Sequence, residues 1–174
     1  MIATIAMLML GIVLTIGTFI FVSAEFSLVA LDQAVVEKRF QAGDKSAGEV
    51  LKATKTLSTQ LSGAQVGITL TTILLGYTTQ ATIADLLETA LGSAGLALGL
   101  ATGIAAIVAA VFINAVSMLF GELVPKNLAL AHPLKTASLV VPFHMFFTAR
   151  MKPIIIVLNG SANAVLKLVN IEPQ

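Results

Sequence analysis

Phe120-Gly121-Glu122-Leu123-Val124-Pro125-Lys126-Asn127 closes an apolar run that begins near Leu96. It sets a carboxylate, a proline and a cation where a membrane span should meet water. Pro125 has no N–H, so an α-helix continued through it leaves the carbonyl of Gly121, four residues back, without its helical donor. In hydrocarbon an orphan carbonyl is costly, and irregular backbone survives only where protein buries it or a wet cavity receives it. Gly121 therefore offers a bare oxygen beside the Glu122 carboxylate, a pair of donors suited to a hard cation.

The rest of the chain supports a membrane setting. Its 174 residues are 57% hydrophobic and 11% charged, against about 25% charge in a soluble domain. A net charge of +1 without a basic cluster interleaved with aromatics excludes a nucleic-acid binder. Cysteine is absent, which removes disulfides, thiolate metal sites and a Cys nucleophile. No H-E-x-x-H, P-loop or G-x-S-x-G pattern occurs, so intramembrane proteolysis and ATP hydrolysis have no anchor, and the chain reads as a non-enzyme.

Hydropathy predicts an all-α membrane protein with three transmembrane helices, at about 3–31, 63–84 and 96–123. The first holds a single charge, Glu25, and outruns the ~7–15 apolar residues of a signal-peptide core, so it reads as a retained span. Between spans one and two, 32–60 is polar and reads as a cytoplasmic juxtamembrane hairpin. Its two short helices, 33–41 and 45–57, break at Gly43-Asp44 and lie at the interface. Basic residues number five in this connection, none in the next and five after span three, which puts the N-terminus outside and the C-terminus in the cytoplasm. In 137–174, Pro142, His144, Arg150, Lys152 and Pro153 interrupt two apolar stretches, neither reaching the ~20 residues of a span. The expectation there is amphipathic helices along the cytoplasmic edge, leading towards further cytoplasmic domains, with a fourth span as the alternative.

Several polar groups fall inside the spans. Glu25, flanked by Ser23 and Ser27, pays ~2.5–3.5 kcal/mol on insertion scales, which favours an ion pathway or its support over simple snorkelling or pairing with Lys126. Asn114, Ser117 and Gly121 share one helical face, with Glu122 one position round. Helix packing accounts for Ser117 and Gly121, less well for Asn114, and poorly for Glu122. Thr69, Thr72 and Gly76 repeat the same spacing in span two, with Thr71 beside them; bonding back to their own helix competes with a ligand role. Such an oxygen-only donor set suits Mg²⁺, Ca²⁺ or Na⁺ and argues against zinc or copper. His132 and His144 fall outside the three spans and read as capping or packing residues. Gly95, Gly99 and Gly103 form a small-residue pattern that permits, but weakly supports, close helix approach in a dimer.

Three segments resemble the signatures of the transmembrane domain of the CNNM/CorC family. They are Phe21-Val22-Ser23-Ala24-Glu25-Phe26-Ser27-Leu28-Val29-Ala30-Leu31, then Gln60-Leu61 to Gly67-Ile68-Thr69-Leu70 with Leu74-Leu75-Gly76, then Phe120-Gly121-Glu122-Leu123-Val124-Pro125-Lys126. The resemblance covers most of residues 1–174, and its third segment is the most specific. It implies a homodimeric three-span domain in the cell membrane that transports Mg²⁺, as efflux coupled to Na⁺ entry. It also implies a cytoplasmic CBS pair that binds adenine nucleotide and a CorC-type domain, both beyond Gln174. Carried onto this chain, the ion site draws on Ser23 or Ser27, polar positions of span two such as Thr69, Asn114 or Ser117, and Gly121 with Glu122. Glu25, Thr72, Pro125 and Lys126 stand as pathway or supporting residues. Many members have Asn where this chain has the Gly67–Leu70 segment, and Ser in place of Val22. Two further readings stay open: a non-transporting membrane anchor and dimeriser for nucleotide-sensing domains, and a Na⁺ or proton transporter that uses Glu25 as a relay.

Overall fold

The computed structural model describes residues 1–168, which are helical with no strand among them. The helices are α1 (Ile2–Ala30), α2 (Gln33–Gln41), α3 (Ser46–Lys55), α4 (Leu57–Leu75), α5 (Ala81–Ser93), α6 (Leu98–Val116), α7 (Val124–Ala131) and α8 (Pro133–Leu168). Two π-helical segments are spliced in without a break, Gly76–Gln80 between α4 and α5 and Ser117–Leu123 between α6 and α7. Three helical paths are long and apolar enough to cross a membrane: α1, the path Leu98–Ala131, and α8. Large apolar side chains such as Ile12, Ile107, Val111 and Ile156 lie exposed along them, as a lipid-facing surface requires. The chain is a multi-pass membrane protein. Its contacts separate into two compact units, Met1–Val22 with Ile68–Asn127, and Ser23–Gly67 with the chain from Leu128 on.

In the first unit, Gly11, Leu14, Thr18 and Phe21 of α1 are buried at spacings of three and four, one face of a helix. Leu75, Ile83 and Ile113 close around Leu14. The middle run, from the end of α4 through the first π segment Gly76–Gln80, lies antiparallel to α1. Thr79 Oγ1 donates to the Met7 carbonyl at 3.0 Å, and the Thr18 and Thr71 hydroxyls meet at 2.8 Å. These contacts track α1 from Met7 to Thr18, roughly 16 Å at ~1.5 Å per residue. The middle run thus shares the depth of α1, although the glutamines, serines and threonines of α4 keep it out of the three paths that qualify by composition. Gly11 makes the approach possible, since a Cβ there would lie 2.5 Å from Thr79 Oγ1 and 2.6 Å from its Cγ2. α5 and α6 form a hairpin turned at Gly95, whose φ of +93° suits glycine. The buried face of α6 is Ala101, Ala105, Ala109 and Ile113.

In the second unit, Asp32 caps α2 by accepting from the Ala34 N–H at 2.9 Å. Gly43, with φ +95°, turns the chain, and Asp44 accepts from the Ser46 N–H at 3.0 Å and from its hydroxyl at 2.6 Å to open α3. Leu28, Val36, Val50, Leu51, Ala137 and Val141 form the apolar core that joins α3 to α8. The proline-broken edge helices expected over 137–169 are instead one helix, Pro133–Leu168, that runs through Pro142 and Pro153; residues 169–174 lie outside the described residues. Tertiary packing outweighs the two breakers, because the turns near and between them are held by buried side chains. His144, fully buried, donates from Nε2 to the Gln60 carbonyl at 3.0 Å, and Thr148 fits against Gly63.

Two outcomes follow from this unit. Gly63→Ala would place a methyl 2.8 Å from Thr148 Cγ2 and 2.9 Å from its Cβ, in contact with Oγ1 as well. Thr148 is β-branched and buried, so it cannot swing aside. The variant should lose ~1–3 kcal/mol to overpacking, read as a lower melting temperature of the solubilised protein and partly restored by Thr148→Ala. The Ser46 hydroxyl and N–H hold the Asp44 carboxyl below its ordinary range. Its contribution to the start of α3 is therefore complete above about pH 4 and lost as pH falls through the depressed value. Amide exchange at Ser46 and Ala47 should accelerate over that acidic window in the wild type, with no such window in Asp44→Ala.

Candidate cation site

The segment Ser117–Leu123 is wound in the wider register, with the Val124 N–H bonded to the Leu119 carbonyl five residues back. Pro125, fully buried, contributes no donor. The next N–H is that of Lys126, followed by Asn127, which in α register serves Leu123. The carbonyls of Phe120, Gly121 and Glu122 therefore share one local donor. The expected break at Pro125, freeing the Gly121 oxygen alone, is instead a change of pitch in an unbroken helix. By this count the donor shortage spreads over neighbouring oxygens.

Directly on this segment sits a buried polar node. Ser117 is 5% exposed, and its Oγ has no hydrogen-bond partner. A Cβ on Gly121 would lie 3.6 Å from that Oγ and 3.2 Å from Thr18 Cγ2, so the bare face of Gly121 looks onto both side chains. Thr18 is bonded to Thr71, and each also reaches a carbonyl of its own helix, Leu14 at 3.1 Å and Ile68 at 3.0 Å. Hydroxyl and carbonyl oxygens gathered at membrane depth can offer lone pairs to a cation and little else.

The other expected residues are distributed as follows. Asn114 is exposed and donates from Nδ2 to the Ala110 carbonyl at 2.8 Å. Glu122 and Lys126 are exposed on the surface of the chain. Thr69 and Thr72 are exposed too, the Thr72 hydroxyl bonding back to Ile68. Ser23, Glu25 and Ser27 belong to the second unit. There Ser23 is fully buried with an unpartnered Oγ, Ser27 Oγ donates to the Ala24 carbonyl at 3.2 Å, and Glu25 accepts from Gln65 Nε2 at 2.7 Å. In the first unit, then, Ser117 and Gly121 are brought together with Thr18 and Thr71. Thr18 was not singled out from sequence; its signal is its place on the buried stripe of α1. Thr71 rather than Thr69 or Thr72 faces inward, in line with Ala64, Gly67 and Leu75, which share its helical spacing and are buried with it on α4. Among the described residues no group of three His, Asp or Glu side chains could hold a metal.

Comparison with known proteins identifies the lineage. The UPF0053 protein MT1890 of Mycobacterium tuberculosis is 42% identical over 170 residues, 98% of this chain and 37% of its own length. The uncharacterized protein Rv1841c of the same species is 34% identical over 166 residues, 95% of this chain and 47% of its own. The UPF0053 protein sll0260 of Synechocystis is 33% identical over 159 residues, 91% of this chain and 36% of its own. The chain thus spans between about a third and a half of the length of these relatives. The description "Cyclin M transmembrane N-terminal domain" matches residues 9–174. With membrane-length helices and a family match over residues 9–174 in agreement, the chain belongs to the CNNM family, as its cyclin M transmembrane domain.

Proposed function

We propose that this domain transports a divalent cation, Mg²⁺, coupled to Na⁺, and that the ion is held at the second π segment by the Ser117 hydroxyl, the under-supplied carbonyls of Phe120 and Gly121, and the Glu122 carboxylate. The observation that carries the reading is the Ser117 hydroxyl, buried and unpartnered beside Gly121. Leaving such a group unsatisfied costs ~1–3 kcal/mol, a cost that a bound cation would offset. Mg²⁺ prefers six oxygens and sheds water reluctantly, so a few protein oxygens opening onto water suit it better than a closed cage. In the second unit, Ser23 offers a hydroxyl of the same kind.

Exposure of Glu122 favours a homodimer. A carboxylate turned to lipid costs ~2.5–3.5 kcal/mol on insertion scales, which a covering second copy or a wet vestibule removes. On α6, Gly99 and Gly103 have nothing within 4 Å, and Gly103 lies three turns from Asn114 on the same face. A neighbouring helix could approach there closely and meet the amide. The distribution of Lys and Arg orients the domain with its N-terminus outside and its C-terminal side in the cytoplasm of a cell-membrane protein, an orientation in which α8 lies along the cytoplasmic face and does not cross. The greater length of the relatives is consistent with cytoplasmic CBS-pair and CorC-type domains after this one.

Reconstituted in proteoliposomes, Glu122→Gln should cut Mg²⁺ flux at least tenfold, and Ser117→Ala severalfold; flux at the wild-type level in both would overturn the assignment. In melting experiments, Mg²⁺ at ~100 times its dissociation constant should add ~2.7 kcal/mol to the wild type and nothing to Glu122→Gln. No response in either protein, together with absent flux, would favour a membrane anchor and dimeriser.

A further inference from the structure

Within the second unit, apart from the cation site, a cavity of about 350 Å³ is lined by Arg39, Asp44, Ser46, Leu134, Lys135, Ser138 and Leu139. It collects the end of α2, the start of α3 and the first turns of α8. Among the described residues neither the Arg39 nor the Lys135 side chain has an ion pair or hydrogen bond, and both are exposed. The Asp44 carboxylate is engaged by the Ser46 N–H and hydroxyl. The Ser138 hydroxyl donates to the Leu134 carbonyl at 2.7 Å, which leaves its oxygen to accept but not to donate. The donors lining the cavity without a hydrogen bond are thus a guanidinium, which acts on the Asp44 carboxylate through space, and an ammonium; two cations against one carboxylate leave a single positive charge.

From the same cavity an apolar track leads away. Leu139 is 75% exposed, and Phe143 and Phe146 follow it at spacings of four and three on one face of α8, both at least half exposed. Charge and track together select the occupant. A phosphodiester carries one negative charge and two free oxygens, a match for the guanidinium fork and the lysine. Acyl chains would lie against this exposed face, where the Arg150 guanidinium also sits over the Phe146 ring at 5.0 Å. A zwitterionic headgroup brings its own ammonium and would leave the site's surplus charge unmet.

We propose that this cavity binds the headgroup phosphate of an anionic glycerophospholipid between Arg39 and Lys135, with an acyl chain laid along Leu139, Phe143 and Phe146. Basic pockets on the cytoplasmic side of membrane helices are suited to such lipids. The site lies where α2, α3 and α8 meet, so an occupied pocket ties the juxtamembrane hairpin to α8.

Native mass spectrometry of the full-length protein, titrated with phosphatidylglycerol, phosphatidylcholine or water-soluble glycerophosphoglycerol, tests this. Phosphatidylglycerol should bind at least tenfold more tightly than phosphatidylcholine. Arg39→Gln combined with Lys135→Gln should abolish that preference, while Lys55→Gln, an exposed cation outside the cavity, should keep it. Leu139→Ser, which leaves both cations in place, should weaken phosphatidylglycerol severalfold. Equal affinity for the two lipids, or an unchanged preference in the double variant, would overturn the proposal. So would displacement of the lipid by glycerophosphoglycerol at equal concentration, which would make the cavity a site for free phosphodiesters. These readouts involve no Mg²⁺ flux, so they stand or fall apart from the transport assignment.

Discussion

A backbone carbonyl in hydrocarbon has no water to turn to, and the helical path through Ser117–Leu123 is arranged around that constraint. A proline four residues beyond Gly121 would leave one oxygen bare in an ordinary α-helix. Widening the turn re-pairs Leu119 with Val124 and carries the helix past Pro125 unbroken. The shortage persists as an excess of acceptors over donors just before the proline. Ser117, at the head of the same segment, adds a hydroxyl with no partner.

α1 serves as the reference surface for both π segments. Thr79 from the first drops onto Gly11, and Gly121 from the second receives Thr18. In each case a glycine faces a threonine, so the wide turn brings backbone to side chain at close range. Hydroxyl contacts, Thr79 to Met7 and Thr18 to Thr71, fix the register in which α1 and the middle run lie. Apolar packing alone would permit sliding, since Leu14, Leu75 and Ile113 supply little directional information.

Much of this was legible in the residues. Charge scarcity and long apolar runs decide membrane class and helical fold, because both follow from local composition. The importance of the Gly121 to Pro125 segment follows from the absent proline N–H. Its π winding does not, because the missing N–H alone is equally compatible with a break in the helix. Thr71 escaped for a related reason: on a helix rich in threonine, only the neighbour shows which hydroxyl turns inward. The continuous α8 reverses a local rule. Two prolines read as breaks, but His144 on Gln60 and Thr148 on Gly63 hold the intervening turns. Glu122 could be read as functional but not as exposed, since exposure depends on the chain's partners and not on its own pattern.

The polarity of the middle run also bears on biogenesis. α1 is apolar enough to leave an insertion channel for lipid unaided, whereas the stretch that follows carries amides and hydroxyls that lipid would reject. The Met7 carbonyl and the Thr18 hydroxyl receive two of the hydroxyls, those of Thr79 and Thr71, and are made first. Synthesis order thus supplies a ready template, and a nascent chain whose leading helix was deleted or inserted backwards would strand its second hydrophobic stretch at the channel mouth.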